Sequence, residues 1–408
     1  MEEFRLIKRL GYRVINRKKL ANIPWRNTNV VRFSSLYCKE ELPEIAVINP
    51  GDTAVYLHSG GTSGEPKTIE LSHTAINSLG DKLPFILQKD NLEGIHMLAV
   101  LPMFHGFGLC MGVHAMLIAG GTDTLMPKFD PGKTIELIKT NQVNVIIGIP
   151  SLFASLLSHP DFAGEHLRHL GWAYAGGDIV SPDLKQRFQK ITSAFNSQAK
   201  LLEGYGLTEV VTVSAVNIPT DSAPRGVGKP LPGIDMAIYD GDKQAFCGPN
   251  EAGEIVVSGP TMMNGYLKDS EATEQTIMTD ETGKSWIRTG DYGMIDSDGY
   301  VWFKQRLKRI VKVLGMPVLP AEIENLMTSL AEIKEAAAVG VPDSEKGFVI
   351  KLYLVKEPTA QTAVADDTIK QLIKSEISPY AVPGEIVYLS ELPKTDLGKI
   401  DTRKLETI

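Results

Sequence analysis

Short apolar runs alternate with amphipathic segments through the middle of the chain. Val143–Ile149 precedes Ser151–Leu157, and Leu170–Ala175 precedes Pro182–Ile191. Apolar runs of strand length that alternate with helical patterns are typical of βα units, in which helices cover a mostly parallel sheet. The pattern therefore predicts an α/β fold, with a large domain of stacked βα layers over residues 1–304.

From about residue 226 the pattern changes to short β-rich segments separated by turn residues. Examples are Ile234–Tyr239, Gly253–Ser258 and Asp296–Phe303. The last carries Asp298-Gly299, a pair that is typical of a hairpin turn. This region predicts an antiparallel sheet or barrel, attached to the large domain over about residues 226–304.

Residues 305–408 mix both kinds of pattern. The predicted elements are a helix at Pro320–Ser329, strands at Ala336–Val341 and Val349–Val355, and a helix near Asp367–Ile377. This combination predicts a small α+β domain at the C-terminus.

Residues 94–122 carry no formally charged side chain, and their length alone would allow a membrane span. Pro102, His105 and several glycines would leave backbone and imidazole groups unsatisfied in lipid. We therefore predict a buried strand at His96–Leu101, a loop at Pro102–Gly106 and a buried helix after it, with no transmembrane segment.

The composition is that of a soluble globular protein. The chain has 408 residues, 43% of them hydrophobic and 22% charged, which suggests two or three domains. The chain has a net charge of -7 and therefore lacks the overall positive charge that nucleic-acid binding usually needs, so DNA and RNA are not expected partners. Three cysteines without CxxC spacing suggest neither disulfides nor zinc, and favour a cytoplasmic location.

The first 19 residues are basic but are not followed by an apolar stretch of signal-peptide length. The basic residues are Arg5, Lys8, Arg9, Arg13, Arg17, Lys18 and Lys19. A solvated, mostly helical arm is the favoured interpretation. The alternative is a patch that contacts anionic lipid at a membrane surface.

A strand-like run, Thr53–Leu57, leads into a glycine-rich loop that suits phosphate. The loop consists of Ser59, Gly60, Gly61, Thr62, Ser63, Gly64, Glu65, Pro66 and Lys67. Glycines permit close backbone approach, hydroxyls and amides donate to phosphate oxygens, and Lys67 adds positive charge. The loop is not a Walker motif, because Glu-Pro-Lys follows Gly64. An ordinary glycine-rich turn is the alternative.

Three later segments carry further candidate chemistry. In Glu203–Glu209, Tyr205, Thr208 and Glu209 combine a ring that can stack on a base, a hydroxyl that can bind phosphate and a carboxylate that can hold Mg²⁺. Asp291, at the end of Arg288-Thr289-Gly290-Asp291, can accept hydrogen bonds from two ribose hydroxyls. In Pro393–Ile400, Lys399 lies on a glycine loop flexible enough to enter a site from another domain.

In this order the four segments resemble the adenylate-forming superfamily of acyl-CoA synthetases, peptide-synthetase adenylation domains and luciferases. Pro102–His105 is similar to the family's segment near the substrate carboxylate. The stretch from Gly253–Ile255 to Gly265-Tyr266 is similar to its β-barrel signature, and Gln305–Arg309 occupies its inter-domain hinge. The resemblance extends from about residue 50 to the C-terminus.

The resemblance implies a role for each matching residue. For the nucleotide, Ser59–Lys67 would hold the β- and γ-phosphates, and Tyr205 would stack on adenine, with Gly206 beside it as a further nucleotide-binding residue. Gly176, Gly177 and Asp178 would line the adenine pocket, and Asp291 with Arg306 would bind ribose. For catalysis, His105 would lie near the acid, Thr208 would contact the α-phosphate, Glu209 would bind Mg²⁺ and Lys399 would bridge carboxylate and adenylate oxygens. Lys308 would be the hinge of a mobile C-terminal domain, near residues 306–309.

The implied reaction is ATP-dependent activation of a carboxylic acid, with a fatty acid favoured, to an acyl adenylate. Pyrophosphate leaves, and coenzyme A then displaces AMP. The implied cofactors are ATP, Mg²⁺ and coenzyme A. Two alternatives remain open, namely an enzyme that loads an acyl carrier protein and a non-catalytic nucleotide- or acyl-binding remnant. Three single residues also have an alternative interpretation. His105 could be a core histidine, Tyr205 could pack and not stack on a base, and Lys399 could be a solvated surface lysine.

The sequence departs from the family pattern at several positions. Gln305 replaces the usual hinge glycine, Arg309 replaces an acidic or amide residue, and Thr68 stands where glycine is usual. Only about 50 residues precede the phosphate loop, which is short for the family. We therefore expect the first subdomain to be incomplete.

An incomplete first subdomain should leave apolar surface, because parallel sheets are normally covered on both faces. Either the first 50 residues cover this surface, with the basic stretch Arg5–Lys19 on the outside, or another chain covers it. We expect a partner or self-association, and light scattering at micromolar concentration should give a particle larger than the 44.6 kDa monomer. A monomer fully active on fatty acid, ATP and coenzyme A would contradict this expectation.

Overall fold

The computed structural model describes residues 47–58, 67–140, 142–221, 223–343, 346–358, 364–394 and 400–407. The fold below is that of the compact unit Asn49–Ile408. The predicted N-terminal arm, the loop residues Ser59–Gly64 and Lys399 lie outside the described residues.

The strands are numbered along the chain. They are β1 (Thr53–His58), β2 (Thr68–Ser72), β3 (His96–Ala99), β4 (Thr122–Leu125), β5 (Val145–Gly148), β6 (Trp172–Ala175), β7 (Leu201–Tyr205), β8 (Ala215–Val216), β9 (Lys229–Pro230), β10 (Asp235–Asp240), β11 (Ala245–Phe246), β12 (Ala252–Ser258), β13 (Gly265–Tyr266), β14 (Ile277–Thr279), β15 (Ser285–Ile295), β16 (Val301–Arg306), β17 (Val311–Val313), β18 (Met316–Val318), β19 (Ile333–Asp343), β20 (Gly347–Lys356) and β21 (Glu385–Tyr388).

The helices are numbered in the same way. The α-helices are α1 (His73–Gly80), α2 (Leu83–Leu87), α3 (Ala115–Ile118), α4 (Pro131–Lys139), α5 (Pro150–Ser158), α6 (Pro182–Ala194), α7 (Ser270–Thr276), α8 (Pro320–Thr328), α9 (Asp366–Glu376) and α10 (Thr402–Glu406). Short 3-10 helices lie at Glu165–His169, Thr208–Val210, Leu307–Arg309 and Pro379–Ala381, and a π-helix lies at Phe107–His114.

A mostly parallel sheet organises the first half of the described chain, as the alternating pattern predicts. Its strand order is β4-β3-β5-β6-β7-β8-β9. The pairs from β4 to β7 are parallel, and β8 and β9 extend the sheet antiparallel. Helices α4, α5 and α6 follow strands and each begins with proline, which suits the first helical turn because it lacks an N–H to satisfy.

Both faces of this sheet are buried. Val145 and Ile147 of β5 belong to one apolar core, whereas Ile146 between them belongs to a second core. On β6, Tyr174 packs in the first core, while Ala173 packs in the second. Because successive side chains of a strand point to opposite faces, these continuous apolar runs produce a sheet covered on both sides.

The β-rich region forms an antiparallel sheet with the order β11-β10-β12-β15-β14, in which β16 also pairs with β15. The predicted hairpin is confirmed: Ile295 pairs with Val301 across the turn, and Asp296 caps the turn by accepting from the N–H of Tyr300. A separate sheet, β1-β2-β13, brings Tyr266 against the strand that follows the predicted phosphate loop.

The C-terminal region packs around its own sheet, β19-β20-β21, with α8 and α9 supplying Ile323 and Ile369 to the core. Strand β16 runs to Arg306 and stays paired with β15 up to that residue. The boundary between residues 304 and 305 and the hinge near 306–309 stay predictions.

The segment 94–122 is the place where local structure differs most from expectation. The strand, loop and following helix are present, but the helix begins as the π-helix Phe107–His114 and only its last turn, α3, is α-helical. No described helix combines the length and the apolar composition needed to cross a membrane.

Candidate active site

The loops that follow the parallel strands lie at one edge of the sheet, where open α/β folds bind ligands. Gly176, Gly177 and Asp178 follow β6, and Gly206 follows β7. Glu203 on β7 holds the loop after β6: its Oε1 accepts from the N–H of Val180, and its Oε2 forms an ion pair with Lys185. Neither Glu203 nor Lys185 is among the site residues predicted from the sequence.

Three predicted nucleotide-binding residues lie in direct contact. The Tyr205 hydroxyl donates to Asp291 Oδ2 at 2.7 Å, and Arg306 Nε lies 3.0 Å from Asp291 Oδ1. Arg306 also donates to the carbonyl of Thr289 at 3.1 Å. The antiparallel register that pairs Asp291 with Arg306 produces this cluster.

The Asp291 carboxylate is buried, with 2% of the residue exposed. Burial raises the pKa of this carboxyl, whereas the Arg306 charge and the Tyr205 hydrogen bond lower it. Burial likewise raises the pKa of Tyr205, which keeps the phenol protonated as a donor. Asp291 Oδ1 is buried and makes the ion pair but accepts no hydrogen bond from the described residues. Ribose binding by Asp291 stays a prediction.

The Tyr205 ring is packed, with 8% of the residue exposed. Its centroid lies 6.0 Å from that of Phe303 at an interplanar angle of 30°, and Ile255 and Val301 belong to the same apolar cluster. The alternative that this ring packs is therefore realised on at least one side. Stacking of the ring on adenine stays a prediction.

Glu254 holds the backbone that carries Asp291. Its Oε2 accepts from Arg288 Nε and Nη2 at 2.9 and 2.7 Å, and its Oε1 accepts from the N–H of Gly290 at 2.9 Å. Gly290 has φ 68°, a conformation that other residues rarely adopt. A sequence signal for Glu254 does exist: it is an acidic residue within the mostly apolar strand β12, and the strand that pairs with β12 carries Arg288.

The metal-binding candidate Glu209 lies in the 3-10 helix Thr208–Val210, where Thr208 is buried. The Tyr266 hydroxyl donates to Glu209 Oε1 at 2.9 Å. In the described residues, no cluster of three or more His, Cys, Asp or Glu side chains could hold a metal ion. Mg²⁺ is commonly bound by one or two carboxylates together with phosphate oxygens, so Glu209 with a nucleotide fits this ion.

The acid-binding candidate segment approaches Val211, the residue that follows this 3-10 helix, through Gly106. A Cβ at Gly106 would lie 1.9 Å from the carbonyl oxygen of Val211, so only glycine permits the approach. His105 beside it is exposed and is not a core histidine. Its Nδ1 accepts from the N–H of Phe107 at 3.1 Å, so in the neutral imidazole the proton lies on Nε2.

The remaining predicted residues are placed as follows. Lys67 Nζ lies 4.8 Å from the ring centroid of Tyr266. Lys308 lies in the 3-10 helix Leu307–Arg309, and burial together with the charges of Arg306 and Arg403 lowers its pKa. Contacts of Ser59–Gly64 and of Lys399 lie outside the described residues.

A family model described as "AMP-binding enzyme" matches residues 13–267, and one described as "AMP-binding enzyme C-terminal domain" matches residues 322–399. The chain belongs to the AMP-binding enzyme family. CoA ligases of this family use ATP, Mg²⁺ and coenzyme A, which agrees with the cofactors implied by the resemblance.

Relatives of this AMP-binding enzyme include CoA ligases for aliphatic and for aromatic acids. The long-chain-fatty-acid–CoA ligase of Bacillus subtilis (strain 168) is 32% identical over 397 residues, which cover 96% of this chain and 69% of the relative. The 4-coumarate–CoA ligase 3 of Oryza sativa subsp. japonica is 32% identical over 382 residues, which cover 91% and 66%. The chain thus spans about two thirds of the length of these relatives.

Solved structures confirm the adenylate-forming fold, with its large N-terminal α/β domain and small C-terminal domain. ATP-bound MatB from Rhodopseudomonas palustris superposes with a TM-score of 0.79 at 26% identity, covering 88% of this chain and 69% of that one. The o-succinylbenzoate CoA synthetase (MenE) from Bacillus subtilis, in complex with the acyl-adenylate intermediate OSB-AMP, gives 0.74 at 25% identity, covering 90% and 72%.

The contacts of Glu254 generate a test of how the ribose-binding candidate is positioned. Glu254→Gln removes the charge that pairs with Arg288 and should loosen the backbone at Asp291. We expect the Kd for ATP, measured by calorimetry, to rise about tenfold, as for loss of a charge-assisted hydrogen bond. Glu251→Gln is the matched control, because Glu251 is exposed and caps only a neighbouring turn. Equal ATP affinity in both variants would contradict a positioning role for Glu254.

Proposed function

We propose that this chain activates a carboxylic acid with ATP, releases pyrophosphate and transfers the acyl group from the adenylate to coenzyme A. The observation that carries the proposal is the contact of Tyr205, Asp291 and Arg306. Glu209 lies in the 3-10 helix Thr208–Val210, which follows the strand that ends at Tyr205, so the ribose- and metal-binding candidates lie on adjoining segments.

The described side chains suit the first half-reaction. Asp291 would accept from the ribose hydroxyls, and Thr208 would donate to the α-phosphate. The Nε2–H of His105 would donate to an oxygen of the acid, since its Nδ1 is already engaged. Mg²⁺ at Glu209 would neutralise charge on the phosphates. Donors and cations placed where negative charge develops are usually a large part of such catalysis.

For the substrate we propose a fatty acid. Support comes from the Bacillus subtilis relative, whose name specifies long-chain fatty acids. An aromatic acid is the second candidate, because a 4-coumarate–CoA ligase is also 32% identical to this chain. Coenzyme A is favoured over an acyl carrier protein as acceptor, since the names of these relatives specify CoA.

The decisive experiment is pyrophosphate release on mixing the protein with ATP, Mg²⁺ and single acids. The panel should contain fatty acids of several chain lengths, 4-coumarate and o-succinylbenzoate, followed by coenzyme A or an acyl carrier protein as acceptor. Release with one fatty-acid class and formation of its CoA thioester supports the proposal. ATP binding without release from any acid would favour the non-catalytic alternative.

Lys399 provides a test of the first half-reaction. Its ammonium would lie against the carboxylate and α-phosphate as charge develops, so Lys399→Ala should lower adenylate formation by about two orders of magnitude. Thioester formation from supplied acyl adenylate should be largely spared. Lys394→Ala is the control, because the Lys394 side chain pairs with Glu335 in the same region. Equal loss of both half-reactions would contradict the role proposed for Lys399.

Lys308 provides a test of the hinge. Lys308 lies in the 3-10 helix Leu307–Arg309, and Lys308→Pro fixes φ at this position, which restricts rotation of the backbone there. We expect single-turnover assays to show retained adenylate formation and lost thioester formation. Thioester synthesis at the wild-type rate would place the hinge elsewhere.

A further inference from the structure

Tyr266 lies between two segments that the proposed function uses for different parts of ATP. Strand β13, which contains Tyr266, pairs antiparallel with β2, the strand that follows the predicted phosphate loop. The N–H of Leu267 donates to the carbonyl of Thr68 at 2.8 Å, and the N–H of Tyr266 donates to Thr273 Oγ1 at 2.9 Å. The backbone of Tyr266 is therefore held on both sides.

The hydroxyl of Tyr266 acts on the metal-binding candidate. It donates to Glu209 Oε1 at 2.9 Å, and the N–H of Met263 donates to the carbonyl of Glu209 at 2.9 Å. Only 8% of Tyr266 is exposed, so water competes little for this bond. One carboxylate oxygen of Glu209 is oriented by this bond, and in the part of the chain that the structure describes no hydrogen bond engages its other oxygen, Oε2.

The ring of Tyr266 acts on the other segment. Lys67 Nζ lies 4.8 Å from the ring centroid, within the range in which an ammonium is attracted to an aromatic face. Lys67 is the last residue of the predicted phosphate loop. The Tyr266 side chain therefore contacts both Lys67, the candidate phosphate-binding cation, and Glu209, the candidate metal-binding carboxylate.

We propose that Tyr266 is a positioning residue that aligns Glu209 and Lys67 on the same ATP molecule. Its hydroxyl orients the Glu209 carboxylate for Mg²⁺, and its ring sets the position of the Lys67 ammonium for the phosphates. This inference rests on the proposed function and assigns to Tyr266 a role that the β-barrel signature Gly265-Tyr266 does not itself imply.

Two substitutions separate the two contacts. Tyr266→Phe removes the hydroxyl but keeps the ring, whereas Tyr266→Leu removes both. Calorimetry should give the Kd for ATP with excess Mg²⁺ and with EDTA, and the ratio of the two constants measures the gain from the metal. Tyr174→Phe is the control, because its hydroxyl makes one buried bond of 2.8 Å to the carbonyl of Ile86.

We expect Tyr266→Phe to lower the gain from Mg²⁺ about tenfold, as for loss of an outer partner of a metal ligand. Its Kd in EDTA should equal that of the wild type, because phenylalanine retains an aromatic face. Tyr266→Leu should lower the gain in ATP affinity from Mg²⁺ by the same factor as Tyr266→Phe, and should also raise the Kd for ATP in EDTA about threefold. Tyr174→Phe should change neither quantity.

Glu209→Gln tests whether the Tyr266 hydroxyl acts on Mg²⁺ through Glu209, and this test does not depend on the folding of Tyr266→Leu. In the Glu209→Gln background, Tyr266→Phe should cause no further loss of the Mg²⁺ gain. A further loss there, or a full Mg²⁺ gain in Tyr266→Phe alone, would overturn the role of Tyr266 and leave the proposed function standing. A wild-type protein that does not bind ATP would remove both.

Discussion

The candidate site depends on a buried negative charge. Asp291 is almost fully buried, and a buried carboxylate without compensation costs several kcal/mol. Arg306 and the hydroxyl of Tyr205 supply the compensation. Tyr205 and Asp291 are 86 residues apart in sequence, so the charge is stable only when the parallel sheet and the antiparallel sheet lie together. Folding and assembly of the nucleotide site are therefore coupled.

Two other carboxylates around the site are likewise held by hydrogen bonds and an ion pair from distant segments. Glu203 on β7 holds the loop after β6 through the N–H of Val180, and Glu254 on β12 holds the backbone before Asp291 through the N–H of Gly290. Each glutamate also pairs with a basic residue of its neighbourhood. Side chains that are locked by such bonds preorganise the groups that contact a ligand. The glutamates are thus supports for the binding residues.

Much of the local structure could be predicted from the order of apolar and polar residues. The βα units around β5 and β6 are confirmed because their strands are buried on both faces and read as continuous apolar runs. The hairpin at Asp298-Gly299 is confirmed because its turn residues carry their own conformational preference. The π-helix Phe107–His114 was not predicted, because a wider turn leaves an apolar, glycine-containing segment with no distinct periodicity.

The sequence by itself determined which groups are available: the hydroxyl, carboxylate and ring in Glu203–Glu209, the acid in Arg288–Asp291 and the family to which these motifs belong. These residues are close in sequence, so their spacing is visible without a fold. Only the tertiary structure decided their partners, such as Tyr266 for Glu209 and Arg288 for Glu254, which are 57 and 34 residues apart. The physical reason is that strand register and sheet packing select which distant side chains meet, and neither is encoded in the spacing of a single motif.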